Sequence, residues 1–347
     1  MLRGKTALIV PTFTPPKVAI RARGAPTGEM HSGRGPPTTS LLLLWPALPG
    51  AILIALVRVA FHYGGGHLSR RLAVRLHGTR WCDKLRPNAP EEFAERIFYA
   101  VGHTLCTAFG GWVCLKNGWL TWPGELFFVL PFPHALPPEQ LAVTRAYFAL
   151  ESSFHLESAF HLLRILLARG ATREVMMLLH HTVTLLLIGG SWSVIGLPET
   201  GAVVLWLHAA SDIFIDLLKA CDSLKWDAPL VPCYLLALLG WVAFRFVFLP
   251  YHLLRPGWAQ IAAIATGTCP PYPDCGPYGM HVPEMLAGTA CWLGLVLLLC
   301  MHTVWLKQLL RKGLRQLSGG PRTKAAERPD TCALEAAGAA TDKPKRS

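Results

Sequence analysis

Two histidines stand side by side at His180 and His181, in the stretch EVMMLLHHTVT. Adjacent positions on a helix diverge by about 100°, so one imidazole can face the interior of a bundle while the other packs sideways. His180 and Thr184 are four apart and share a face. Further along, LWLHAASDIFIDLLK puts His208, Ser211 and Asp212 at i, i+3 and i+4, with Asp216 four residues on and Lys219 three beyond it. A carboxylate beside an imidazole sets its tautomer and supports its conjugate acid. A His pair on one helix and a His–Asp face on the next can therefore build a general acid/base site. The plainer reading of Asp216 and Lys219 is a structural ion pair, which leaves His208 and Asp212 without an explanation. Glu151 and His155 form another i,i+4 pair, and Arg245 sits in FRFVFLP ahead of Pro250. An arginine in apolar surroundings needs a carboxylate, a carbonyl or an anionic substrate group such as phosphate.

The elements that carry these residues belong in a membrane. Of the 347 residues 52% are hydrophobic and 16% charged, against roughly 25% charged in soluble domains, and the mean hydropathy is +0.36. That composition excludes a soluble globular protein, a disordered chain and a disulfide-stapled secreted module. Seven apolar runs approach the length of about 20 residues that crosses a bilayer: Leu41–Phe61, Phe93–Leu115, Leu141–Leu167, Val175–Ile195, Gly201–Lys219, Leu230–Leu253 and Met285–Leu306. The second is interrupted by Gly110 and Gly111. The third carries Arg145, Glu151, His155, Glu157, His161 and Arg164, which fits a surface amphipathic helix or, preferably, a span with its polar face turned into the bundle. The expected fold is an all-α polytopic membrane protein.

Basic residues set its orientation. Arg70, Arg71, Arg75, Arg80, Lys84 and Arg86 follow the first run; Arg164, Arg169 and Arg173 the third; Lys219 and Lys225 the fifth; Lys307, Arg311, Lys312 and Arg315 the last. These connections and the C-terminus are expected in the cytosol. The basic N-terminal segment, with six Lys or Arg against Glu29, runs against this orientation and is expected to be disordered. The net charge of +12 reflects this bias and the tails, and no basic patch with interleaved aromatics calls for nucleic acid.

Most of the ten cysteines sit in apolar runs as small hydrophobes. Cys269 and Cys275 share the Pro/Gly-rich loop TGTCPPYPDCGPYG, where an oxidising lumen permits a disulfide; two free thiols are the alternative. The fourteen histidines form no set of HxxxH and HxxHH boxes of the kind used by membrane di-iron enzymes, so no metal is expected. Lys343 and Lys345, near the cytosolic end, resemble a dilysine endoplasmic-reticulum retrieval signal; a solvated basic tail is the alternative.

Taken together, Glu174–Lys219 resembles the longevity-assurance motif of ceramide synthases, within the TLC-domain superfamily. The matching residues are Glu174, Met177, His180, His181, Thr184, Ser191, Trp192, Gly201, Leu207, His208, Ser211, Asp212, Asp216 and Lys219. Arg86, Pro87, Phe93 and Glu95, then Tyr147, Phe148, Glu151 and Phe154, then Arg245 and Pro250, extend the likeness over roughly residues 85–310. The chain departs from the pattern at Ala209, where the family has an Asp, and at His155, where it has a Tyr. An Asn and an Arg after the Ser–Trp pair are also missing. Another acid, Asp212 or Glu151, would have to stand in for the one lost at Ala209.

The resemblance implies about seven transmembrane helices, the second to seventh forming a bundle around an apolar cavity. Its boundaries would be a disordered segment 1–40, a first helix 41–62, a basic cytosolic connection 63–90, the TLC domain 91–312 and a disordered tail 313–347. It implies acyl transfer from a fatty acyl-CoA, a co-substrate rather than a bound cofactor, to the amine of a sphingoid base in the endoplasmic-reticulum membrane. His180 or His181 would be the general base, or a nucleophile forming an acyl-imidazole, oriented by the other together with His208 and Asp212. Glu151, His155, Ser211, Asp216, Arg245 and Lys219 would support the site, and Arg169, Arg173 and Lys219 could meet coenzyme A phosphates. The competing reading is a non-catalytic TLC-domain protein that binds or senses lipid. Both a homodimer and a heterodimer are open.

Overall fold

A computed structural model describes residues 40–80, 85–120, 138–169, 175–193, 197–266 and 282–317. The described residues are helical apart from short turns, and none forms a strand. The helices are α1 (Ser40–Ala60), α2 (Gly66–His77), α3 (Ala89–Lys116), α4 (Pro138–Arg169), α5 (Val175–Ser193), α6 (Leu197–Ser223), α7 (Asp227–Trp241), α8 (Arg255–Ala265) and α9 (Val282–Leu317). A π-helical turn, Phe61–Gly65, joins α1 to α2, and a longer π-helical stretch, Val242–Leu254, joins α7 to α8. The protein is thus an all-α polytopic membrane protein, with six stretches among the described residues long and apolar enough to cross a bilayer: Pro46–His77, Ala89–Lys116, Val175–Trp192, Pro198–Ser223, Asp227–Ala259 and Leu286–Arg315.

Two of the expected features differ. The connection expected from residue 63 starts only after His77, because the π-helical turn carries the first helix straight on into α2. And α4 is too polar to count among the apolar spans, yet it is no surface helix. It packs on α1, α3, α5 and α6, with Glu151, Ser152, Ser153, Glu157 and Ser158 all buried. The disulfide proposed for Cys269 and Cys275, residues 1–39 and the tail from 318 onward lie outside the described residues, as do Arg173 and Glu174.

Local chemistry fixes where the helices begin and end. Asn88 precedes α3, Pro90 occupies its first turn, and Glu91 and Glu92 face the positive end of the helix dipole. The helix stops in a Schellman motif: Gly118 takes φ 73°, and the Trp119 N–H donates to the Cys114 carbonyl at 2.8 Å. α6 ends the same way, with the Trp226 N–H donating to the Cys221 carbonyl at 2.9 Å. There the left-handed position is filled by Lys225, at φ 48°.

α6 is the central helix: 67% of its apolar window is buried, against 17% for the stretch containing α1. Its most extensive partner is α3. Gly110 and Gly111 do not interrupt α3. A Cβ at Gly110 would run into the Tyr147 ring, and one at Gly111 into Trp206, so the glycines admit aromatic side chains from α4 and α6. Leu53, Leu56, Leu186 and Leu239 are exposed on the outside of the bundle, as expected of surface that meets lipid.

Candidate active site

The two adjacent histidines of α5 diverge as helix geometry requires. The His180 ring is buried and turns toward α6 and α9, its centroid 6.5 Å from His208 and 5.9 Å from His302. His181 turns toward α4, where its Nδ1 lies 3.0 Å from Nδ1 of His155, so the two rings share one proton in a hydrogen bond. Glu151, one turn before His155, has an oxygen 3.9 Å from His155 Nε2.

On α6, His208, Ser211 and Asp212 share the expected face, but their partners are not each other's side chains. His208 Nδ1 lies 2.8 Å from the Val204 carbonyl. A carbonyl only accepts, so this nitrogen carries the proton and the neutral ring keeps its lone pair on Nε2. That nitrogen is buried and has no hydrogen-bond partner among the described residues. The expected Asp212–His208 contact is replaced by a clamp built around Arg245. The guanidinium, 1% exposed, donates from Nε to Ser211 Oγ at 2.8 Å, and from Nη2 to Asp212 Oδ1 at 2.6 Å and to the His208 carbonyl at 3.2 Å. Nη1 donates to His302 Nε2, and the guanidinium carbon sits 4.2 Å from the centre of the Trp241 ring. The buried charge therefore has a carboxylate and three further acceptors, four partners for its five N–H groups.

Asp216 joins a different group. It accepts from His103 Nδ1 at 3.0 Å and lies 3.5 Å from Arg96 Nη1, both on α3. It does not pair with Lys219, whose side chain is exposed. His103 and His302 were not singled out in the sequence. Each is an imidazole in an apolar run, without a charged residue one turn away to draw attention; the cost of burying such a group is the signal that could have found them.

His208 also lines a narrow apolar slot between α5, α6 and α9. Thr184, Ile188 and Ser191 form one wall, Gly201, Val204 and Leu205 a second, and Cys291, Leu295 and Leu298 a third. The slot has about 40 Å³ open to water-sized occupants. At its far end α5 and α6 approach closely: a Cβ at Gly201 would strike the Ser191 side chain. The arrangement sets an unpartnered basic nitrogen at the head of an apolar channel, with a polar cluster behind it. Among the described residues no three His, Cys, Asp or Glu side chains are grouped to hold a metal ion.

Comparison with known proteins gives the same frame. The chain is 36% identical to ceramide synthase hyl-2 of Caenorhabditis elegans over 88 residues, 25% of this chain and 26% of that one. It is 24% identical to ceramide synthase hyl-1 of the same organism over 228 residues, 63% of this chain and 55% of that one. It is 25% identical to ceramide synthase LOH2 of Arabidopsis thaliana over 125 residues, 35% and 40% of the two chains. The matches thus span about half, or less, of the length of these relatives. A family model for the TLC domain matches residues 92–311, from the first turn of α3 to the last turns of α9 and so across every element of the site, and the protein belongs to the TLC-domain family.

Proposed function

We propose that the protein is a sphingoid base N-acyltransferase, a ceramide synthase, moving a fatty acyl group from acyl-CoA to the amine of sphinganine or a related base. The observation that carries this reading is His208 Nε2, a buried acceptor without a partner among the described residues, at the head of an apolar slot. An acyl chain would part α5, α6 and α9 along the slot, which as it stands admits only water-sized occupants, and set its thioester beside His208 and His180. The neutral amine attacks the carbonyl carbon, forming the C–N bond. His208 Nε2 takes the proton that the nitrogen sheds. The C–S bond then breaks, and the same proton passes to the leaving sulfur to give the free coenzyme thiol. The relatives named ceramide synthase and the motif running from His180 to Asp216 support the assignment.

The ends of α2, α6 and α9 meet at one end of the bundle, where His77 Nε2 donates to the Leu224 carbonyl at 2.7 Å and Lys312 pairs with Asp222 at 2.6 Å. Arg70, Arg71, Arg75, Lys225, Arg311 and Lys312 gather on these segments. By the positive-inside rule this is the cytosolic end, and coenzyme A would approach from it. We assign the protein to the endoplasmic-reticulum membrane with a cytosolic C-terminus.

The test is expression in microsomes from a host without its own ceramide synthases, supplied with sphinganine and a panel of acyl-CoAs, with dihydroceramides quantified by mass spectrometry. Product above the empty-vector control is the expected result. One observation favours a second reading. Ala209, buried on α6, stands where the family pattern has an acid, as a non-catalytic lipid-binding protein would allow. No product from well-inserted protein, at any chain length, would move the assignment to that reading.

A further inference from the structure

His302 has a defined tautomer, and it complements that of His208. Arginine only donates, so the contact from Arg245 Nη1 makes His302 Nε2 an acceptor and leaves the ring proton of the neutral imidazole on Nδ1. That N–H is wholly buried and has no hydrogen-bond partner among the described residues. The ring is held between Trp241 and Trp305, with centroids 5.5 Å and 5.9 Å away. The His208 ring, whose unpartnered nitrogen is an acceptor, lies 5.1 Å from it, centroid to centroid. His302 also stands one turn beyond Leu298, which lines the slot. A fixed acceptor and a fixed donor thus occupy adjoining rings, of which His208 lines the head of the apolar slot and His302 packs against it.

We infer that His302 is the donor that holds the acyl carbonyl oxygen, with its Nδ1–H directed at that oxygen while His208 Nε2 receives the proton of the attacking amine. The inference rests on the acyltransferase reading. A carbonyl attacked by a proton-bearing nucleophile needs one acceptor for the proton and one donor for the oxygen on which negative charge develops. Arg245 does not reach the substrate; it fixes which nitrogen of His302 carries the proton. As the C–N bond forms, the carbonyl π electrons move onto the oxygen and strengthen the His302 hydrogen bond. They return as the C–S bond breaks.

Two amide substitutions separate this role from bracing Arg245. The amide of His302→Asn overlies the Nδ1 position and keeps a donor there, but loses the acceptor for Arg245. The amide of His302→Gln overlies Nε2 and keeps that acceptor, but loses the donor. In microsomes with sphinganine and palmitoyl-CoA, His302→Asn should retain kcat within about tenfold. His302→Gln should lose about 100- to 1,000-fold in kcat, the usual cost of removing one such donor, with KM for the acyl-CoA unchanged. Any result in which Asn does no better than Gln overturns the inference, as does a loss of Gln activity carried by KM alone. An inactive wild-type chain instead defeats the acyltransferase reading itself.

Discussion

Asp212 Oδ1 accepts from Arg245 Nη2 at 2.6 Å, and the same guanidinium nitrogen reaches back to the His208 carbonyl at 3.2 Å. One buried arginine on the π-helical stretch thus fixes both the backbone beneath the candidate base and the carboxylate one turn away. A Pro at position 250 cannot donate a backbone hydrogen bond, and the stretch that holds it departs from α-helical bonding: the Arg255 N–H reaches the Pro250 carbonyl, five residues back. Such widened turns recur at functional sites.

Removing the carboxylate should cost more than removing both charges. Asp212→Ala leaves a guanidinium buried without its counter-charge, a change that typically destabilises by about 3–5 kcal/mol. The double variant Asp212→Ala/Arg245→Met removes the charge along with its partner and should recover a large part of that loss. Thermal unfolding in detergent gives the comparison; additive losses would mean that the clamp contributes no coupling.

A second, partly buried ion pair ties α1 to the rest of the bundle. Arg58 Nε lies 2.6 Å from Glu157 Oε1 on α4, and its Nη1 lies 3.7 Å from Glu95 on α3. Glu95 in turn lies 3.3 Å from His161. Arg58→Met strands a carboxylate that is only 3% exposed and should destabilise by about 3 kcal/mol or more. The matched variant Arg58→Met/Glu157→Gln should be milder. Protease protection of the α1–α2 segment reports the result, and equal cleavage in wild type and Arg58→Met would count against the tether.

Much of this site is legible from spacing alone. The 3.6-residue period brings His208, Ser211 and Asp212 to one face and turns His180 and His181 apart, and the charge in FRFVFLP demands a partner. Spacing does not say which partner. Asp212 goes to Arg245 rather than to His208, and Asp216 goes to His103 rather than to Lys219, because those choices depend on how α3, α6 and the π-helical stretch pack. Gly110 and Gly111 look like a break along the chain, yet they are the positions where Tyr147 and Trp206 press against α3. His302 gives no periodic signal at all, since its contacts, Arg245, His208 and two tryptophans, come mostly from other helices.

The imidazoles should separate by role. His208→Ala removes the unpartnered base and should lower the yield of dihydroceramide by about 100-fold or more, within the range for loss of a positioned general base. His180→Ala should do similar harm, because His180 is the ring that faces both His208 and His302. His181→Ala breaks the contact with His155 on α4 and lies one ring further from the slot, so it should leave more residual activity than either. Membrane insertion, followed by alkaline extraction, should be unchanged in all three. Full turnover in His208→Ala would remove that residue from the chemistry.

Chain length should be read at the far end of the slot. Cys291 and His302 both lie on α9, about 16 Å apart along the helix axis at 1.5 Å per residue, and Cys291 lines the slot beside Ser191 and Gly201. α5 and α6 approach closely at Gly201, and on the α9 wall the Cys291 sulfur packs against Gly190 of α5, so a larger side chain at Cys291 must extend along the slot. Cys291→Phe would fill that end without touching the polar cluster. Acyl chains short enough to stop before it keep their contacts, whereas longer ones lose about 0.8 kcal/mol for each methylene turned out of the slot. With four methylenes displaced, the ratio of long-chain to short-chain product should fall by about 200-fold, since each 1.4 kcal/mol is a factor of ten. Competition between acyl-CoAs of different length in one reaction measures that ratio directly. An unchanged ratio would mean that the acyl chain runs elsewhere in the bundle, and a uniform loss at every length would mean that the substitution disturbs the site rather than the end of its channel.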